Sequence, residues 1–113
     1  MPAIEPEDQP ELKEAIGRLW AKFLPEMKER VAILEMAAAA FAADQLSQAQ
    51  HEAANMAAHN LAGVLGTFGL TRGTVLAREL EIMYSRENGP DPAMATQLRA
   101  LAAELRTLVE SRK

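Results

Sequence analysis

Two histidines, His51 and His59, hold the most versatile chemistry in this chain. An imidazole has an ordinary pKa of about 6.5, so at cell pH it is largely neutral and can act as base, ligand or nucleophile. No cysteine is present, which removes disulfides, thiolate metal sites and cysteine nucleophiles. A di-metal centre inside a helical bundle needs Glu-x-x-His pairs, but Met56 stands three residues before His59 and Gln48 three before His51. A Ser–His–Asp hydrolase needs a nucleophile elbow on a sheet, and neither is legible here. Gly63, Gly66 and Gly69 follow no strand and match no phosphate-loop spacing. What remains is the chemistry of a single imidazole.

The elements that must position that ring are helical. Ala (22) and Leu (14) far outnumber Val and Ile (4 each), so good helix formers dominate and a sheet is nearly excluded. Residues 1–9, with two prolines and three acids, read as a flexible lead-in to one domain over 10–113. Pro10 opens a helix whose apolar residues recur at Leu12, Ile16, Leu19 and Phe23. A second, heptad-spaced stripe runs Trp20, Leu24, Met27, Val31, Leu34, Ala38, Phe41 and passes through Pro25. The spacing predicts two segments, Pro10–Leu24 and Pro25–Ala43, joined by a kink, because proline inside a helix costs about 3 kcal/mol. Asp44 is the expected N-cap of the next helix, which runs to about Phe68 and stops at Gly69. Its inward face reads Leu46, Ala53, Ala54, Ala57, Leu61, Val64, Leu65 and Phe68. Thr71 then caps a segment with Leu76, Leu80 and Met83 on its stripe, ended by Asn88-Gly89-Pro90. Asp91-Pro92 starts a last helix built on Met94, Leu98, Leu101, Leu105 and Leu108, with Arg99, Glu104 and Arg106 facing out. The expected fold is all-α: an antiparallel up-down four-helix bundle with an N-terminal helical extension kinked near Pro25.

Charge narrows the partners. A net charge of −4 and a pI near 5.2 count against nucleic acid and anionic membrane. The N-terminus lacks the order of a signal peptide, and Ala53–Thr71, the longest stretch free of Asp, Glu, Lys and Arg, is broken by Asn55, His59, Asn60 and three glycines. The expectation is a cytoplasmic domain, a monomer rather than a dimer, although Trp20, Leu24 and neighbouring apolar residues offer a surface for a second copy.

At 100° per residue, His59 falls at the centre of the outer face of its helix, opposite Leu61, Ala57 and Phe68. Gln48, Glu52, Asn55, Met56, Ala62, Gly63 and Gly66 lie along its stripe. Each helical glycine costs about 1 kcal/mol relative to alanine. Two of them beside an exposed histidine suggest that something approaches the backbone there. A lone exposed histidine is nonetheless ordinarily a solvated side chain, and glycines in helices often serve close packing. His51 lies eight residues, about 12 Å, from His59 along the helix, too far to share a proton, and reads as a surface residue.

The segment Ala58–Leu70, AHNLAGVLGTFGL, resembles the signature of histidine-containing phosphotransfer (HPt) domains. In that family His-x-Leu-Lys-Gly is followed six residues later by another glycine, and His59, Leu61, Gly63 and Gly69 match in register. The likeness spans about Trp20 to Val109 and includes Leu76-Ala77-Arg78-Glu79-Leu80-Glu81, similar to the family's following helix. One position departs: the family usually has lysine where this chain has Ala62, a variant that resembles modules attached to response regulators and diguanylate cyclases. Arg72 and Arg78 are candidate substitutes in charge. The resemblance implies a phosphorelay component of two-component signal transduction, in which His59 accepts a phosphoryl group from receiver-domain aspartates and returns it. Glu52, Asn55, Met56, Ala62, Gly63 and Gly66 would form the receiver-docking rim, with Glu52 and Asn55 orienting the ring and Leu61 and Gly69 supporting the motif. It also implies partners, a response-regulator receiver or a hybrid sensor histidine kinase. No cofactor or metal of its own is expected, Mg²⁺ belonging to the receiver. Nothing in the sequence binds ATP, so a phosphoryl carrier rather than an enzyme is expected. The competing reading is a helical docking module for a receiver or kinase that is never phosphorylated.

Overall fold

Apolar stripes at helical spacing become four helices in a computed structural model that describes residues 10–86 and 89–111. These are α1 (Pro10–Ala42), α2 (Gln48–Thr67), α3 (Thr71–Ser85) and α4 (Ala95–Ser111), with a 3-10 turn over Pro92–Met94 before α4. α1 packs on α2 and α4, and α3 packs on the same two, so the helices form a closed ring around one core. The core is Trp20, Met27, Val31, Leu34 and Ala38 of α1, Leu61 and Leu65 of α2, Leu76 and Leu80 of α3, and Leu98 and Leu105 of α4, among others. Among the described residues there is no strand, and no helix is long and apolar enough to cross a membrane. The expected lead-in, residues 1–9, lies outside the described residues, as does Asn88 of the breaker cluster.

The two segments expected on either side of Pro25 run on without a loop, as one helix of 33 residues with Pro25 inside it. Pro25 is exposed and forfeits one backbone hydrogen bond at a water-accessible site, while Trp20 and Met27 on either side are buried. Core packing on both sides outweighs the local break. Asp44 does not cap α2: it takes φ 57° in the turn after α1. Ser47 is the N-cap, accepting from the Gln50 N–H at 3.1 Å while Gln50 Oε1 accepts from the Ser47 N–H at 3.0 Å. Thr71 begins α3 without capping it, since the N-cap position is Leu70 with no side-chain bond. Gly69 stops α2 as expected. Its φ of 72° lets the Leu70 N–H reach back to the Leu65 carbonyl at 2.9 Å, a turn favoured by glycine. Asp91 accepts from the Ala93 N–H at 2.9 Å and so caps the 3-10 turn, leaving α4 to start at Ala95.

α4 is tied to its neighbours by ion pairs rather than merely turned outward. Arg106 donates to Glu35 of α1 at 2.6 Å and to Glu110 at 2.7 Å, and Arg72 of α3 donates to Glu104 at 2.8 Å. The Arg72 bond holds the Glu104 carboxyl below its ordinary pKa and raises the Arg72 guanidinium, and the Glu35 and Glu110 bonds raise Arg106. Trp20 sits in the core, edge-on to Phe68 with ring centroids 5.1 Å apart, so it is not available as a surface for a second copy.

Tyr84 is buried with no hydrogen-bond partner for its hydroxyl among the described residues. Desolvation pushes its phenol from 10.0 up to about 12. Between those values the unfolded chain ionises first, so the stability that Tyr84 contributes is complete below pH 10 and falls as pH rises toward 12. Tyr84→Phe removes both the orphan hydroxyl and its titration. We expect the variant to be more stable at pH 7 by about 1–3 kcal/mol. It should also lose less of its thermal stability than the parent chain when both are melted at pH 8 and pH 11.

Candidate functional site

His59 lies midway along α2, on a crest between α1 and α3, with a side chain 69% exposed. Its ring is held from the neighbouring helix. The Nδ1–H donates to Glu81 Oε2 of α3 at 2.7 Å. An ionised carboxylate can only accept, so this bond places the proton on Nδ1. In the neutral ring the lone pair is therefore on Nε2. The site presents an exposed, oriented imidazole with a carboxylate behind the ring.

Glu81 holds the ring from 22 residues away in the sequence, a partner that spacing along α2 does not reveal. Glu52 and Asn55, expected to orient the ring, do other work. Glu52 accepts from the Gln48 side chain at 3.1 Å. Asn55 donates to the backbone carbonyl of Glu81 at 3.1 Å, which pins α3 at the level of His59 and so positions Glu81 indirectly. Leu61 is fully buried and anchors the crest from below, and Gly69 makes the turn that sends the chain into α3.

The remaining expected rim divides. Met56 is exposed, and Gly63 and Gly66 lie bare on the surface. A Cβ built on Gly63 meets nothing within 4 Å, and one on Gly66 meets only Thr74 Oγ1 at 3.7 Å. Gly63 is therefore not required by packing inside the bundle. Ala62, by contrast, is only 3% exposed and belongs to the core. It departs from the expected stripe because α3 covers that flank of α2, which angular spacing on one helix does not reveal. Arg72 is likewise removed as a charge beside His59, since it is bound to Glu104 of α4.

His51 is a packed residue rather than a surface one. It is half-buried, its Nε2–H donates to the backbone carbonyl of Tyr84, and its ring meets the Tyr84 ring edge-on at 6.1 Å. It locks the end of α3 to α2. The expected N-terminal extension of α1 lies along the end of α2, so its stripe residues Ile16, Leu19 and Phe23 form an apolar ledge over Val64, Thr67 and Phe68, a placement that spacing on one helix does not give. The groove between them is about 430 Å³. Among the described residues, no group of three or more His, Cys, Asp or Glu is placed to hold a metal ion.

The Hpt domain family matches residues 18–111 of this chain. Protein RcaC of Microchaete diplosiphon is 30% identical over 90 residues, which cover 80% of this chain and 14% of that protein. The chain thus spans a small part of the curated relative it matches. No solved structure gives a significant match.

Glu81→Ala tests the geometry of the ring. With the acceptor gone, His59 should populate both neutral tautomers instead of the Nδ1–H form alone, read from the ¹⁵N chemical shifts of the imidazole at alkaline pH. His51, whose tautomer is fixed by Tyr84, should not change.

Proposed function

The chain belongs to the Hpt domain family, the phosphotransfer modules of two-component signalling, and from that premise we propose that His59 is the phosphoryl acceptor. The observation that carries this reading is the exposed His59 ring, held by an Nδ1–H bond to Glu81 that leaves the lone pair on Nε2. Nε2 bears no proton in that tautomer, so it can attack phosphorus without a general base. On a receiver's aspartyl phosphate, the Nε2–P bond forms as the P–O bond to the aspartate breaks, and the electron pair leaves with the carboxylate. The ring becomes cationic, with Nδ1–H retained against Glu81, whose negative charge stabilises it. The reverse step restores the aspartyl phosphate. Mg²⁺, bound on the receiver, neutralises charge on the transferring group.

Such chemistry depends on in-line positioning more than on groups supplied by the bundle. Met56 and the bare backbone at Gly63 and Gly66 leave room for a receiver to close on His59. The Ile16, Leu19 and Phe23 ledge extends that surface with apolar area. The chain then acts as a phosphoryl carrier, not as an ATP-dependent kinase, in the cytoplasm where receivers work.

His59→Gln should abolish acid-labile, base-stable label from a phosphorylated receiver while moving stability by no more than about 0.5 kcal/mol, because the side chain points away from the core. His51→Gln should cost about 1 kcal/mol by breaking its bond to Tyr84, yet still take label. Label retained by the first variant and lost by the second would reverse the assignment. Binding of the receiver with no label on the parent chain would instead establish a docking module. Gly63→Gln should keep the bundle folded, since nothing lies within 4 Å of the added Cβ, and should slow transfer at least tenfold by standing between His59 and the receiver. Unchanged single-turnover kinetics would remove Gly63 from the docking surface.

A further inference from the structure

A phosphoryl group on His59 brings about two negative charges to a surface that is already acidic. Glu81 is 2.7 Å from the ring and Glu52 is exposed two turns back along α2. α2 itself, Gln48–Thr67, contains no lysine or arginine. A compensating cation must therefore come from a neighbouring helix. On α1, Arg30 borders the groove beside Met56 and Asn60, but it is engaged with Glu26 at 3.6 Å. Arg72 is bound to Glu104 at 2.8 Å.

Arg78 differs from both. It is exposed, and among the described residues it has no ion pair or side-chain hydrogen bond. The register between the antiparallel helices places it. Gly66 of α2 faces Thr74 of α3, while Asn55 and His59 bond to Glu81. Residue 78 thus stands opposite Ala62, between these two sets of contacts and one turn from Glu81 on the same edge of α3. The adjoining crest of α2 is open, with nothing within 4 Å of a Cβ at Gly63.

We infer that Arg78 is the phosphoryl-binding cation of this site, its guanidinium reaching across from α3 to an oxygen of the group carried by His59. This rests on His59 being the acceptor. The planar fork of an arginine suits two phosphoryl oxygens. An exposed pair is screened by solvent and salt, so a two- to fivefold effect at low ionic strength is expected, on the order of 1 kcal/mol or less.

The test uses phosphoramidate, a small phosphoryl donor: Nε2 forms the N–P bond as the donor's own N–P bond breaks and ammonia leaves with a proton. Parent chain, Arg78→Gln, Arg78→Lys and Arg30→Gln are labelled at low and high salt, with thermal unfolding of each recorded. Arg78→Gln should accept label two- to fivefold more slowly, or lose it faster, at low salt only. Arg78→Lys should recover most of the difference, and Arg30→Gln should match the parent. Parent-like labelling and label lifetime in Arg78→Gln at low salt would overturn the role of Arg78 while leaving His59 as acceptor. So would a defect confined to affinity for a phosphorylated receiver, which would make Arg78 a docking contact. A parent chain that takes no label on His59 would remove both readings together.

Discussion

Leu65 lies so near the backbone of Gly73 that a Cβ at residue 73 would stand 3.0 Å from its Cδ1. This close approach of α2 and α3 is the constraint on which the site depends. Ala54, Ala58 and Ala62 on α2 and Ala77 on α3 are buried small residues of the same kind. Small side chains let two helices approach closely, and close packing then admits few alternative registers. The register fixed at Gly73 carries along the helices to Glu81, which arrives within hydrogen-bond distance of His59. Asn55 repeats the constraint in polar form by holding the Glu81 carbonyl. His51 does so again at the far end, through the Tyr84 carbonyl. Those links secure the backbone of α3, so the Glu81 side chain is left to secure the ring.

The polar ties of α4 have a different character. Arg106 joins Glu35 across α1 and α4, and Arg72 joins Glu104 across α3 and α4, but all four side chains are substantially exposed. Pairs of that kind contribute on the order of 1 kcal/mol or less. Burial of Leu98, Leu105 and Val109 is the larger contribution to holding α4 in place. The ion pairs set which neighbour each edge of α4 meets. They also occupy Arg72, which leaves Arg78 as the basic residue on the α2-facing edge of α3.

Much of the fold was legible because helix periodicity is a one-dimensional signal. Met27, Val31 and Leu34, or Leu98, Leu101 and Leu105, announce their own buried stripes. The errors arise where a second element decides. Asp44 and Ser47 are both good N-cap residue types, and Ser47 wins because Gln50 completes a reciprocal pair of bonds. At Pro25 no loop is expected, and packing on both sides carries α1 through it. His59 could be placed on an outer face by angle alone. Glu81, 22 residues further on, could not be assigned to it without knowing the register of α3. Ala62 shows the same limit in reverse, being 60° from His59 on the helix but on the flank that α3 covers.

A carrier of phosphoryl groups faces a requirement that a kinase does not. It must accept the group and then give it up, so its phosphorylated state has to lie near in free energy to the aspartyl phosphate on its partner. A crowd of cations around His59 would deepen that state and hold the group; none at all would leave about two negative charges facing Glu81 and Glu52. On the proposed reading, the bundle divides the task between two helices. α2 contributes a nucleophile and bare backbone and carries no positive side chain of its own. α3 contributes Glu81, which stabilises the cationic ring, and Arg78, whose exposed charge is weakened by solvent. A buried arginine in the place of Ala62 would be stronger electrostatically, but the close packing of α2 on α3 leaves no volume for it. On that reading, the same small-residue interface that brings Glu81 to the ring restricts compensating charge to the rim, where solvent screening keeps it from holding the group as tightly as a buried cation would.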